Sequence, residues 1–459
     1  MASTFFGISV AQSGLTAQKR AMEVLSYNIA NANDPTYKRQ KVVMVEGQVL
    51  ATSQEASSVG SSGIGSGTQT GDVERVVDAL VENRLRETTT NSAEWDYMAS
   101  TLSGLESIMN EPSDSSLETD LDTFWNSWST VANSADDTSV RSALLEDATS
   151  LCERIQYVYG QMSDMVDDLN LEAEDIVDQI NLMAKEIGAL NNQIGAMSSN
   201  NEPVNDLLNT RDALVSELAG YVDVTVSGEG SGDLVISIAG RVLVQGSEVN
   251  TLTTVTGSNG ESSIVWEDGL DPVAVTGGEL KAVTDLRDTV IPGYMSQLDD
   301  IAAELVSSVN ALHQTGLTLD GSAGGDFFKA GTTAANICLD ESIVGKPDLI
   351  AASSSTNFGK SNGNIAQAIA DLKDAEGTSI NEMYETLVGN IGSASAAAQT
   401  QSEAYALSLE QLTTQQQSVS GVSLDEELTN MIKFQQAYNA ASRVLTVMND
   451  MLDVLMQTG

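Results

Sequence analysis

The chain has 459 residues, 41% of them hydrophobic, enough for two to four domains with cores of their own and too apolar for a disordered chain. Its 65 acidic and 21 basic side chains give a net charge of −44, which argues against nucleic acid and anionic membrane surfaces as partners. Two cysteines and one histidine leave little material for a disulfide framework, a zinc site or a Cys–His nucleophile pair, and no apolar run of about 20 residues is present to cross a membrane.

In chain order, residues 4–33 read as a first helix. Ile8, Ala11, Leu15, Met22, Leu25 and Ile29 fall on alternating steps of three and four, with Gln18 out of character. That narrow stripe is a coiled-coil seam, which needs a partner helix to be buried. This region is also the exception to the acidity: residues 1–41 carry five basic side chains against two acidic ones, so +3 here and −47 over the rest of a chain totalling −44. The helix ends in Asn28-Ile29-Ala30-Asn31-Ala32-Asn33-Asp34-Pro35, where Asn and Asp favour turns and Pro35 forbids continuation. A short extended segment is expected over 42–50, and the Ser-, Gly- and Thr-rich stretch 52–71 reads as a linker.

Helical period returns at Val73 and runs to Asn110, then breaks at 111–114. A helix over 117–131 carries Phe124, Trp125 and Trp128. The longest stripe follows, from Val140 to Met197 without a proline; an unbroken helix there would span roughly 85 Å. After a shorter helix over 204–219 the period switches to two, in short runs around Val224, Ile236, Val244, Val255, Val265 and Val275, which predicts an antiparallel β insert. The helical period resumes at Leu280 and continues to Leu312, with Pro292 expected to kink or split it. A turn-rich patch precedes Phe327-Phe328, a mixed segment runs to Ala352, and helices return over 363–375 and 378–418.

The last stripe mirrors the first. Leu424, Met431, Phe434, Tyr438, Ala441, Leu445, Met448, Leu452 and Leu455 form a second seam, with Glu427 as its one gap and Gly421 as the joint before it. The chain is therefore expected to be mainly α with a smaller antiparallel β domain. Its architecture is a nested rod in which the terminal helices pair as a coiled coil at one pole and the β insert lies at the other. The predicted domains are 1–70 with 421–459 (terminal coiled coil and linker), 71–220 with 279–330 and 357–420 (long helical bundle), and 221–278, to which 331–356 can be added, as the β domain.

Chemistry is sparse. His313 sits at a helix end and reads as a buried or capping residue rather than a general base. Cys152 and Cys338, far apart in sequence, read as small buried hydrophobes. The patch from Asp320 to Asp326 lacks the twelfth-position glutamate of a calcium loop, where Gly331 stands. No phosphate loop, dinucleotide fingerprint or serine elbow is found. The reading is of a non-enzyme with no catalytic, cofactor-binding or metal residues and no cofactor.

The run from Asn28 to Gln40 resembles the N-terminal signature of bacterial flagellar axial proteins of the rod, hook and hook-associated group, carried here by Asn28, Asn31, Asn33, Pro35 and Tyr37. Ser420-Gly421-Val422-Ser423-Leu424-Asp425-Glu426-Glu427-Leu428, continuing to Phe434-Gln435-Gln436-Ala437-Tyr438, is similar to the end of the FlgK family of hook-associated proteins. So are Gly277-Gly278-Glu279-Leu280, His313-Gln314-Thr315-Gly316, Gly325-Asp326-Phe327-Phe328 and Ile350-Ala351-Ala352-Ser353. Two departures stand out. Thr36 replaces a glycine of the family's Pro-Gly turn, which predicts a type I turn or another local path. The short span between Phe328 and Ile350 leaves no room for the outer domain of larger members.

The resemblance implies a structural component joining hook to filament. It would assemble with copies of itself into a ring at the hook tip, beside the hook protein and beneath a second hook-associated junction protein. It would be exported unfolded through the flagellar type III apparatus, without a cleavable signal peptide, to an extracellular position in the flagellum. An export chaperone would hold the C-terminal helix, through Leu424, Met431, Phe434, Tyr438, Leu445, Met448, Leu452 and Leu455. The alternatives are another axial protein (hook, distal rod or second junction protein) or a flagellum-associated hydrolase.

Overall fold

The structure, a computed structural model, describes residues 4–47, 67–111, 113, 116–200, 202–230, 232–256, 262–354, 362–374 and 379–458; the side chains of residues 4–6, 455 and 458 lie outside the description. Most of the expected linker at 52–71 and the expected boundary at 356/357 therefore fall outside the described residues.

Helix α1 (Thr4–Ala30) leads into a hairpin of β1 (Gln40–Glu46) and β2 (Thr68–Arg75), antiparallel from Gln40↔Arg75 to Glu46↔Thr68 with a register shift where Gly71 and Asp72 of β2 stand opposite Val43. The sequence reading began a helix at Val73. Instead β2 occupies that position, and α2 (Ala79–Met109) starts where the Asp78 side chain accepts from the amides of Leu80 and Val81. The β2 sequence, TQTGDVER, lacks alternating apolar residues because both its faces are largely exposed, so its strand character comes from pairing alone.

Then come α3 (Leu117–Asn133), α4 (Thr138–Ser199) and α5 (Asn205–Tyr221). The 62-residue α4 is unbroken, as its apolar period demanded. One of its glycines has a packing reason, since Gly188 leaves room for Val249 and Ser247; at Gly195 the constraint falls on Gly232 of the β insert, where a Cβ would meet the α4 backbone.

The β insert is a four-stranded antiparallel sheet of β3 (Thr225–Ser227), β4 (Val235–Ile238), β5 (Arg241–Gln245) and β6 (Glu248–Val249), plus a hairpin of β7 (Leu252–Thr256) and β8 (Ser262–Trp266). The β4–β5 turn holds Ala239 at φ 48° and Gly240 at φ 84°, the two positive angles that a two-residue hairpin turn of the right twist requires. The run around Val275 forms no strand; nearby, Val273 donates one bond to the Ile264 carbonyl.

Helix α6 (Glu279–Asp285) continues through a π turn (Leu286–Val290) into α7 (Ile291–His313). Pro292 neither splits nor ends this helix. In a regular helix its ring would clash with the carbonyl four residues back, and the widened turn, in which the Ile291 amide reaches Leu286, absorbs that clash. The chain closes with α8 (Asn364–Ala370), α9 (Ile380–Ser420) and α10 (Leu424–Thr458).

The protein is mainly α, and one hydrophobic core runs through α2–α9 and the β insert, from Ala99 to Ala398. Its densest part is aromatic: Phe124, Trp125 and Trp128 of α3 pack with Phe327 and Phe328 at ring separations of 4.9–6.3 Å. His313 is fully buried beside them; its Nδ1 bonds the Gly325 carbonyl at 2.7 Å and its Nε2 accepts from the Ala351 amide at 2.8 Å. Burial lowers its pKa, so it is a neutral clamp that ties two loops to the end of α7.

Helices α2 and α9 pack antiparallel, with Gln416 bonded to Glu82 at one end and Tyr384 to Glu111 at the other. Expectation and structure part over the β insert. It packs on the C-terminal half of α4, where Asn181 exchanges two 2.8 Å bonds with Leu252 and Asn191 donates to the Gly246 carbonyl. Arg86, near the start of α2, is paired with Glu229. The insert therefore lies toward the end where the chain termini attach, not at the opposite pole, because α4 carries the chain back there before β3 begins. The stretch 331–354, offered as an addition to the β domain, forms no ladder with it; Arg141 and Gln156 of α4 hold its carbonyls at Pro347, Ile350 and Ile337.

Candidate functional site

Helices α1 and α10 pair antiparallel, outside the main core. Asn28 of α1 meets Glu427 of α10, and 21 residues away on each helix Gly7 lies against Met448. Beneath this pair the chain leaves the hairpin for the helical body at 76–78 and returns from it at 421–423; the turn at 31–39 and the second crossing meet in one polar joint.

Asn28 is the centre of that joint. It is 0% exposed, and its amide uses every bonding position it has. Nδ2 donates to the Gln40 carbonyl and to Glu427 Oε2, both at 2.9 Å, while Oδ1 accepts from the Tyr37 hydroxyl at 2.7 Å and the Gln40 amide at 3.0 Å. Asn28 thus binds the end of α1 to the turn, to β1 and to the start of α10. Arg39 adds the second crossing: its amide donates to the Ser420 carbonyl at 2.8 Å, and its guanidinium lies 2.9 Å from Glu426 and 4.0 Å from Glu427. Glu427 is the gap in the C-terminal stripe, and among the described residues of α10 it alone is buried. The gap is a polar lock, the use to which a seam most often puts a buried polar residue.

Around the centre lie further ties. Lys38 pairs with Glu82 of α2 at 2.8 Å, both side chains 9% exposed, and Gln416 of α9 donates to both Glu82 oxygens at 2.9 Å. The Tyr27 hydroxyl donates to Asp206 of α5 at 2.7 Å, and Tyr27 stacks edge-on against Tyr37 at 5.8 Å. The bond to Asp206, with burial, raises the Tyr27 phenol pKa; burial, with the Tyr27, Asp206 and Glu427 charges, raises that of Tyr37. Both therefore stay protonated and donating.

The turn itself needs no glycine. Asp34 Oδ1 accepts from the Thr36 amide at 2.9 Å and hydroxyl at 2.7 Å, and the Tyr37 amide donates to the Asp34 carbonyl. Thr36 is not among the positive-φ residues. These bonds hold the Asp34 carboxyl below its ordinary pKa. Of the motif residues, Asn28 and Tyr37 are buried, Asn31 bonds back to the Tyr27 carbonyl, and Asn33 and Pro35 are exposed.

The seam residues divide likewise. On α1, Ala11 and Leu25 are buried, and Ile8, Leu15, Met22 and Ile29 are half-buried. The seam pattern does not show a second buried face: Val10 and Ser13 pack at Gly67, and Val24 borders Gly71 and Val73, so the hairpin covers α1 from another side, with Ala17 and Ala21 buried as well. On α10, Met431, Phe434, Ala441, Leu445, Met448 and Leu452 are half-buried. Leu424 is 49% and Tyr438 36% exposed in the single chain; the Leu455 side chain lies outside the described residues. Ile432, Val444, Val447, Met451 and Val454 point their apolar side chains to solvent, Val454 at 61%. Among the described residues no three His, Cys, Asp or Glu side chains converge as metal ligands, and no helix is long and apolar enough to cross a membrane.

Family models match the chain in three places. Residues 8–38 match a flagella basal body rod protein model, and 415–458 match the flagellar basal body rod FlgEFG protein C-terminal model, so these two segments bracket the joint. Residues 102–328 match the flagellar hook-associated protein FlgK helical domain. The chain belongs to the FlgK family of flagellar hook-associated proteins. Flagellar hook-associated protein 1 of Bacillus subtilis (strain 168) is 28% identical over 99% of this chain and 98% of that protein. Its counterpart in Escherichia coli (strain K12) is also 28% identical, over 98% of each. The fold is similar to that of the flagellar hook junction protein FlgK from Burkholderia pseudomallei, with a TM-score of 0.66 at 17% identity, covering 74% of this chain and all of that one. FlgK-family members are structural components of the flagellum rather than enzymes, and the chain is an axial component that assembles with others.

Proposed function

We propose that this protein joins hook to filament by packing many copies of its α1–α10 pair into a ring at the hook tip. The observation that carries the reading is the state of α10: with α1 in place, its seam is only half-buried and Ile432, Val444, Val447, Met451 and Val454 remain in water. Covering each of these five by a sibling helix contributes about 1 kcal/mol, a gain available only to an assembly. In this reading 1–70 with 421–459 form the assembly region, 71–220 with 279–330 and 357–420 the helical body, and 221–278 the β insert. The hook protein lies below the ring and a second hook-associated protein above it, outside the cell. Export proceeds unfolded through the type III apparatus, with a chaperone on the α10 stripe; an apolar stripe that is marginal as an isolated helix suits that handover.

The test is Leu445→Asp, a charge placed in the seam. Purified wild-type protein added to bare hooks is expected to cap them by electron microscopy. The variant is expected to leave them bare while its tryptophan fluorescence, which reports only on the body, is unchanged. Normal capping by the variant would overturn the reading.

A further inference from the structure

The sequence holds two cysteines, and the fold brings them together. Cys152 is buried in α4, and Gln156, one turn further along the same face, donates to the Ile337 carbonyl at 2.6 Å. Cys338 is the next residue after Ile337. Its segment is pinned, since Phe328 bridges Leu339 and the Lys329 amide donates to the Cys338 carbonyl at 2.9 Å. The α4 face that carries Cys152 thus lies under the segment that carries Cys338. The two are near enough for Cys338 to act on the Cys152 thiol, whose pKa is pushed up to about 12 by burial and, secondarily, by Cys338. Cys338 is half-buried and reachable from solvent.

We propose that Cys152 and Cys338 form a redox modification site, an intrachain disulfide made by exchange with a small-molecule disulfide. The Cys338 thiolate attacks one sulfur of oxidised glutathione, breaks its S–S bond and expels one glutathione thiolate. The Cys152 thiolate then attacks Cys338 Sγ in the mixed disulfide and expels the second glutathione thiolate. The two cysteine protons end on the two glutathiones, so the protein loses two hydrogens and one glutathione disulfide is reduced to two thiols. The high thiol pKa of Cys152 makes the second step slow at neutral pH and faster as pH rises. The product staples α4 to the segment behind Phe327-Phe328 and closes a long loop, which restricts the unfolded chain.

The experiment is incubation of purified full-length protein with oxidised glutathione at pH 8.5. Thiols are then counted in denaturant, and digests are mapped by mass spectrometry. The expected result is a fall from two thiols to none, a linked peptide pair containing Cys152 and Cys338, reversal by dithiothreitol, and a higher urea midpoint than for the reduced protein. Cys338→Ser is expected to give no intrachain bridge, and Cys152→Ala to stop at a glutathione adduct on Cys338. Should Cys152→Ala not fold, the peptide map of the unaltered protein decides alone. Two persisting thiols, a stable adduct on the unaltered protein, or covalent dimers would each overturn the proposal. The assay contains no hooks, so its outcome is independent of the junction reading.

Discussion

In the helical body, Phe124, Trp125, Trp128, Phe327 and Phe328 are sealed from water and packed ring against ring. Along α10, by contrast, the one buried side chain among the described residues is a carboxylate, and the apolar residues around it stay half in solvent. The body is stabilised by its own apolar burial. The terminal pair is oriented by hydrogen bonds and left with apolar surface still to be covered. A subunit that must be stable alone and also incomplete alone can divide those demands between two regions.

The largest expected effect falls in the body. Trp128→Ala empties a fully buried indole site and is expected to cost about 3–5 kcal/mol by urea denaturation. Tryptophans 95, 125 and 266 remain as reporters, and all lie outside α1 and α10. Hydrogen exchange in α10 is expected to stay at its wild-type rate. Loss of α10 protection together with the body would mean the two regions unfold as one, and the contrast would fail.

The second expected effect falls at the joint. Asn28→Leu keeps a similar volume but leaves the buried Glu427 and the Tyr37 hydroxyl without their amide partner, a loss of about 2–3 kcal/mol confined to the pair. The expected signature is faster exchange in α1 and α10 and proteolytic cleavage at 31–39 and 421–423, with an unchanged fluorescence midpoint. A drop in that midpoint would show that the joint also supports the body.

The smallest effect sharpens the description of the body. Burial lowers the His313 pKa in the fold, while the unfolded chain titrates near 6.5. The unfolded state therefore binds more protons in acid. His313 contributes stability that is complete above about pH 6.5 and is lost as pH falls toward its folded pKa, by up to about 1.4 kcal/mol per unit. Arg141 reinforces the depression, and the Gly325 carbonyl and Asp326 oppose it. Urea midpoints at pH 8 and pH 5 are expected to differ less for His313→Gln than for the unaltered protein. An equal difference would remove the histidine from the acid response.

What could be read from the sequence was periodic and local. The α4 stripe predicts a long helix because each apolar residue repeats the register of the one before, and the structure runs that helix unbroken. The β2 strand was not legible, since an exposed ribbon leaves no alternation to detect. The hairpin-facing side of α1 was obscured because Val10, Ala17 and Val24 interleave with the seam residues. Glu427 was visible only as a break in a pattern. Its partner Asn28 lies 399 residues away, and the signal available was that both polar residues interrupt or border an apolar stripe. The position of the β insert and the meeting of Cys152 with Cys338 are products of how α4 folds back on the chain, which local spacing does not encode.

One feature of the joint bears on mechanics. The chain passes between the terminal region and the body twice, at 76–78 and at 421–423, and Arg39 bridges the two passages: its carbonyl accepts from the Val76 amide and its amide donates to the Ser420 carbonyl. A single strand there would act as a swivel, free to rotate about its own bonds. Two parallel strands cannot turn about each other without winding, so a twist applied to α1 and α10 is delivered to the body as torque.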